Sequence, residues 1–372
     1  MIGQLAATLL SVALFSAQAD EGDEDTFRSL FEVWYAENKP SDSPASPAAQ
    51  ALLAQHQPEV YKAATQPGFI DFYADYIGKG YLQVDGQRFD AVDRALLNQF
   101  RLDPSARFIH VPAPTTQPAV AYARYDRDGF DAGGERFEFE FLTYNYVFAH
   151  SGLPRGLRWW QRALAGLVNG NRDWHQLDHY VAATLALYQG EPIALTLQQH
   201  NYLTTWRIPE DLKLGPAGRV QLDVAIGSNE LYPHAPERTR HPTVSFITPG
   251  NIEFVMTGKK RPMLGAYDVT DGQESIAYDL TFLPPSDAFY GFRGTLGKKR
   301  RLPGRSGPPG ADYNTLPGIK PYPIAMAVGW RGPSMEEARR KLAAVLDGWQ
   351  VNQQGVQAAI DAFVEATKLS AD

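Results

Sequence analysis

"RFEFEFLTYNYVF", residues 136–148, alternates strictly at its start: Phe137, Phe139 and Phe141 fall on one side, Glu138 and Glu140 on the other. A period of two belongs to an extended strand with one face buried and one face in water. The pattern therefore places the three phenylalanines in a core and the two glutamates in solvent. Working outward, runs of similar length recur: "HYVAATLALY", "PIALTLQQH", "VQLDVAIG", "TVSFITP", "IEFVMTG", "SIAYDLTFL" and "YPIAMAVGW", each bounded by glycine, proline or polar clusters. "LYQGEPIAL" suits a hairpin that turns at Gly190. Many short strands at this spacing predict a mainly β (α+β) chain with an antiparallel β-sandwich core over residues 107–330.

The flanks follow a helical grammar. "FRSLFEVWYAE" sets Phe27, Leu30, Phe31 and Trp34 on one face, and "AAQALLAQHQPEVYKAA" and "AVDRALLNQF" continue a helical lead-in over residues 20–106. At the other end, Ser334 and Glu337 form a capping-box signature before "ARRKLAAVL", whose stripe runs through Met335, Ala338, Leu342, Val345, Leu346 and Trp349. "GVQAAIDAFVEATKL" adds a second helix, so residues 331–372 read as a C-terminal helical segment. "MIGQLAATLLSVALFS" followed by Ala17-Gln18-Ala19 reads as a signal peptide over residues 1–19, although its first residues carry no Lys or Arg. The alternative is a buried N-terminal helix; the apolar run is too short for a comfortable membrane span. The expectation is an exported protein (periplasm or extracellular), with no transmembrane segment in the mature chain.

Composition narrows the chemistry. A net charge of −7 and an acidic balance of 42 Asp+Glu against 35 Lys+Arg speak against a nucleic-acid partner. The absence of cysteine removes thiol catalysis, zinc–thiolate sites, iron–sulfur clusters and lipid attachment at a lipobox. One loop runs against the acidic balance: Lys298, Lys299, Arg300, Arg301 and Arg305 lie in a Gly/Pro-rich stretch, either an anion or lipid-headgroup contact or a solvated surface loop.

Chemistry-bearing residues concentrate in "NRDWHQLDHY", from Asn171. "HQLDH" is not a zinc-protease motif, because Gln176 stands where a basic carboxylate must activate the metal-bound water. Read as one strand, Asp173, His175 and His179 share a face, with Trp174 and Asp178 on the other. Asp173 and His175, joined by His200 from the end of the next strand across the hairpin, form a candidate site for one divalent metal ion. The competing reading is a polar strand mouth whose groups satisfy loop backbone. No G-x-S-x-G elbow occurs, and "IGSNELYP" around Ser228 lacks its second glycine in register.

Three segments in this order, "RDWHQL" from Arg172, "LTLQQHN" from Leu195 and "VAIGSNELYP" from Val224, with "LTYNYVFAHSG" upstream, resemble proteins similar to vacuolar protein sorting-associated protein 62 over residues 136–235. More distantly they resemble the necrosis-inducing proteins, in which the Asp and Glu of the first motif are associated with a divalent cation. The resemblance implies a β-sandwich and matches Asp173, Trp174 and His200. It departs at His175, Gln176 and Asn229, where the family has Glu, His and His. A histidine for a glutamate makes calcium or magnesium less apt and zinc-like metals more so.

Three functional readings stay open at this point. The first is an exported protein binding an envelope or extracellular ligand (polysaccharide, lipid headgroup or protein) at a polar cleft. Trp174, His179, Asn229 and Glu230 would contact that ligand, with Trp159, Trp160 and Trp206 available for stacking. The second is a secreted metal-assisted hydrolase with Glu230 or Asp178 as general base. The third is a structural envelope protein assembled through its terminal helices.

Overall fold

The computed structural model describes residues 41–132, 135–152, 155, 159, 173–175, 178–199, 202–242, 267–297 and 310–311. In chain order the elements are α1 (Pro47–Gln55), β1 (Glu59–Lys62), β2 (Gly80–Val84), β3 (Gln87–Asp90), α2 (Arg94–Gln99), β4 (Arg107–His110), β5 (Ala119–Ala132) and β6 (Glu135–Phe148). There follow β7 (Ser151–Gly152), β8 (Asp173–His175), β9 (Asp178–Tyr188), β10 (Glu191–Gln199), β11 (Tyr202–Arg207), β12 (Gln221–Val224) and β13 (Leu231–Pro233). The last are β14 (Thr239–Pro242), β15 (Tyr267–Thr270), β16 (Glu274–Ser275), β17 (Tyr278–Phe282) and α3 (Ala288–Gly291).

The chain is mainly β, with several antiparallel sheets and few helices. Among the described residues the largest sheet has six strands in the order β11-β10-β9-β6-β5-β17, antiparallel except where β17 runs parallel to β5. The β9–β10 hairpin turns at Gln189 and Gly190, both in the left-handed region (φ 54° and 85°), as the two-residue turn at "QG" requires. A four-stranded sheet, β13-β12-β1-β16, packs on one face of the large sheet. There Val60, Leu222, Val224 and Leu231 meet Ala121, Leu142, Tyr144, Tyr146, Leu185 and Leu195 in one buried cluster. A second cluster lies under the small sheet β3-β2-β4, where Phe72, Tyr76, Leu82, Phe108 and Phe289 cover Val120, Tyr122 and Val147.

Two differences from the sequence reading matter. The lead-in over residues 20–106 is not helical throughout, because its described part contributes β1, β2 and β3 besides α1 and α2. "EV" and "YK", read as the tail of a helix, instead form β1, which runs parallel to β12 and hydrogen-bonds into the sheet; tertiary pairing overrides the local helical pattern there. Phe139 and Phe141 are buried and Glu138 is exposed, as the alternation predicts, and Phe137 is described by its backbone alone. Yet the residues that meet the four-stranded sheet are Leu142, Tyr144, Tyr146 and Phe148, of the opposite parity. Strand β6 is therefore buried on both faces. The face of Phe141 continues through Thr143, Asn145 and Thr184, all buried, with Thr143 and Thr184 hydroxyls 3.0 Å apart. The signal peptide, the C-terminal helices and the basic loop 298–305 lie outside the described residues.

Candidate functional site

The site is built on the turn between β12 and β13, residues 225–230. Its geometry is set by two left-handed positions, Gly227 (φ 92°) and Asn229 (φ 65°); asparagine tolerates this conformation better than most residues. Ala225 N–H donates to Glu230 O (2.8 Å) and Asn229 N–H to Ala225 O (3.1 Å), which closes the turn. The buried Asn229 side chain then reaches outward, its Nδ2 donating to His150 O at 2.8 Å. Gly152 N–H donates to Gly227 O at 2.6 Å. A Cβ at residue 152 would stand 2.8 Å from that same oxygen, so only glycine permits the approach.

Gly152 belongs to β7, and β7 pairs with β8: Ser151 lies opposite His175 and Gly152 opposite Asp173. The strand bearing Asp173, Trp174 and His175 is thus one strand removed from the turn bearing Asn229 and Glu230. The end of β10 arrives at the same hairpin. Gln199, the residue before His200, is buried and its Nε2 donates to Leu231 O at 2.6 Å, while Thr204 Oγ1 donates to Gln199 Oε1 at 2.9 Å. Four segments far apart in sequence meet at one end of the β12–β13 hairpin.

The sequence-predicted residues divide accordingly. Asp173, Trp174 and His175 are described by backbone alone, and His200 lies outside the described residues. Asp173 and His175 are on β8, and Asp178 and His179 begin β9; residues 176–177 between them lie outside the described residues, and the expectation of one shared strand face falls there with them. Asn229 is used by the fold itself, and Glu230 is half-buried beside it. Trp159 is 81% exposed, Trp206 is half-buried against the apolar core, and Trp160 lies outside the described residues. Among the described residues no three acidic or histidine side chains come together as a metal site.

Two buried carboxylates that sequence reasoning missed flank the hairpin. Asp268 on β15 is fully buried; Ser228 Oγ donates to its Oδ1 at 2.6 Å and Tyr232 OH to its Oδ2 at 2.9 Å. The Ser228 proton is therefore committed to a carboxylate, in keeping with the missing nucleophile elbow. His241 stacks on Tyr232 (centroids 3.8 Å, 14°) with Nε2 3.0 Å from Thr270 Oγ1. Burial lowers the pKa of His241, against the opposing pull of Asp268. Asp223 on β12 is also fully buried: His234 Nδ1 is 2.6 Å from its Oδ1, and Ala235 N–H donates to Oδ2 at 3.1 Å. Burial raises the Asp223 pKa, while the His234 and Ala235 hydrogen bonds oppose it. In "QLDV" and "AYDVT" an acid inside an alternating strand looks like a solvent-facing position; nothing local marks it as buried.

Comparison with known proteins returns no match: no family model, no curated protein and no solved structure is similar to this chain.

Proposed function

We propose that this chain is an exported β-sandwich protein that binds an envelope or extracellular ligand at the polar mouth where β7, β8, the end of β10 and the 225–230 turn meet. In this reading Asp173, His175 and His200 hold one divalent ion there, and the chain is a relative of the proteins similar to vacuolar protein sorting-associated protein 62. The observation that carries it is the convergence of the motif segments: Gly152 on Gly227, Asn229 on His150 and Gln199 on Leu231 tie them together by direct hydrogen bonds. Binding sites are commonly assembled from strand ends and loops brought together in this way. Export rests on Ala17-Gln18-Ala19 and the acidic stretch from Asp20.

Titration of Zn²⁺ into metal-free protein tests the site. His175→Ala and His200→Ala each weaken binding by about tenfold to a hundredfold or more. His179→Ala weakens it much less, because His179 is not among the three proposed ligands. Equal affinity in all four proteins, or none in any, would make the mouth structural. The half-buried Glu230, in the turn itself, favours a second reading as a metal-assisted hydrolase with Glu230 as general base. Release of product from a polysaccharide or phospholipid by the zinc-loaded protein, lost in Glu230→Gln, would select it over binding alone.

A further inference from the structure

The opposite end of the β12–β13 hairpin carries a second arrangement of polar groups. Because β1 and β12 pair in parallel with Glu59 beside Gln221 and Tyr61 beside Asp223, these four side chains share the outer face of the four-stranded sheet. Val60 and Leu222, of the other parity, go into the core. His234 follows β13 and lays its imidazole on the Tyr61 ring, with centroids 4.3 Å apart and planes 22° from parallel. Loops close in at two glycines. A Cβ at Gly272 would lie 2.0 Å from Asp223 Oδ1, and one at Gly215 would lie 2.7 Å from the Gln221 side chain.

Glu59, Tyr61, Gln221 and His234 are held from within and reach the surface, whereas Asp223 is fully buried. Asp223 accepts from Ala235 N–H on one oxygen and faces His234 Nδ1 on the other, the pattern of an ionised carboxylate, so Nδ1 carries a proton. Gln221 Nε2 donates to Glu59 Oε2 at 2.7 Å and to Tyr61 OH at 3.2 Å, and Tyr61 OH donates to Glu59 Oε2 at 3.1 Å. Glu59 Oε1, Gln221 Oε1 and His234 Nε2 accept nothing among the described residues. Glu59, Tyr61, Gln221 and His234 are all partly buried, with part of each residue at the surface.

We propose that Glu59, Tyr61, Gln221 and His234 form a binding site for a neutral carbohydrate, separate from the metal-centred mouth. Three outward acceptors on planar groups suit a ligand that brings several hydroxyl donors. The Tyr61–His234 ring stack, fixed in place, suits the apolar C–H face that such a ligand also offers. The acidic local charge rejects phosphates and carboxylates. Pre-set hydrogen bonds spare the site ordering on binding, and Asp223 acts as a positioning residue through His234.

The test is titration of the full chain with neutral hexasaccharides of glucose, mannose and N-acetylglucosamine, with EDTA present, following the His234 ring nitrogens and the Tyr61 ring protons by NMR. At least one sugar should shift both sets of signals along a saturable curve. Tyr61→Ala, His234→Ala and the isosteric Glu59→Gln should each weaken it by about tenfold. Asp223→Asn should change the His234 nitrogen signals before any sugar is added, as a merely structural contact elsewhere would not. No response to any of the sugars, or equal binding by wild type and Glu59→Gln, overturns the proposal. So does displacement of the same signals by Ca²⁺ alone in the absence of EDTA, which would make this a cation site. EDTA keeps the outcome independent of whether the mouth binds metal.

Discussion

Breaking the Asp223–His234 pair should reveal how much of the β12–β13 hairpin depends on it. Asp223 is fully buried and the His234 side chain is 20% exposed, with 2.6 Å between Oδ1 and Nδ1. Asp223→Ala removes two acceptor contacts, from His234 Nδ1 and Ala235 N–H. Hydrogen bonds to a charged group are each worth about 1.5–3 kcal/mol, but removing the carboxylate also removes the penalty of burying it. A net loss of about 2–3 kcal/mol follows for Asp223→Ala. His234→Ala leaves the buried carboxylate with Ala235 N–H alone and should lose a similar amount. Because both variants delete the same contact, the double variant should lose less than the sum, with a coupling energy of about 1.5 kcal/mol or more. Urea unfolding of the four proteins at neutral pH, followed by tryptophan fluorescence, measures it. The acid side supplies a second check. A carboxyl whose folded pKa is raised above its ordinary 3.8 holds its proton more readily in the folded chain. Its contribution is fully present below 3.8 and is lost as pH rises through the folded value, so wild type should gain on Asp223→Ala as pH falls through that window. A coupling energy under about 0.5 kcal/mol would show that the two groups merely touch and would refute the reasoning.

Other outcomes follow from single contacts. His56, His110 and His241 all have pKa values lowered from 6.5 chiefly by burial, so the stability they protect is present above 6.5 and lost as pH falls through their folded values. The urea midpoint should therefore drop from pH 7.5 to pH 5, and His110→Phe should flatten that slope; an unchanged slope would count against it. Tyr144 is fully buried and its hydroxyl donates to Leu53 O at 2.9 Å; Tyr144→Phe should cost about 1 kcal/mol and Tyr144→Ala about 3–5 kcal/mol in the same assay. At the β9–β10 turn, Gly190 has φ 85° and open space around its Cα, so Gly190→Val should cost about 1–2 kcal/mol through backbone strain alone. Gly152→Ala would press a Cβ against Gly227 O, and should abolish Zn²⁺ binding at the mouth while leaving the far-ultraviolet circular dichroism intact.

Strand character was legible residue by residue, because period-two burial is a local property. Phe139 and Phe141 are buried and Glu138 is exposed as the alternation says, and "QG" turns the β9–β10 hairpin because its backbone must be left-handed there. What tertiary structure decided is which face meets which partner. Alternation does not say that Leu142 and Tyr144, and not Phe141, meet the four-stranded sheet, because both faces of β6 are covered and only pairing in space distinguishes them. Asp223 and Asp268 were invisible for the same reason. An acid in a strand is soluble or buried according to the donors that distant segments bring to it, and Ser228, Tyr232, His234 and Ala235 arrive there only through the closure of the β12–β13 hairpin and the approach of β15.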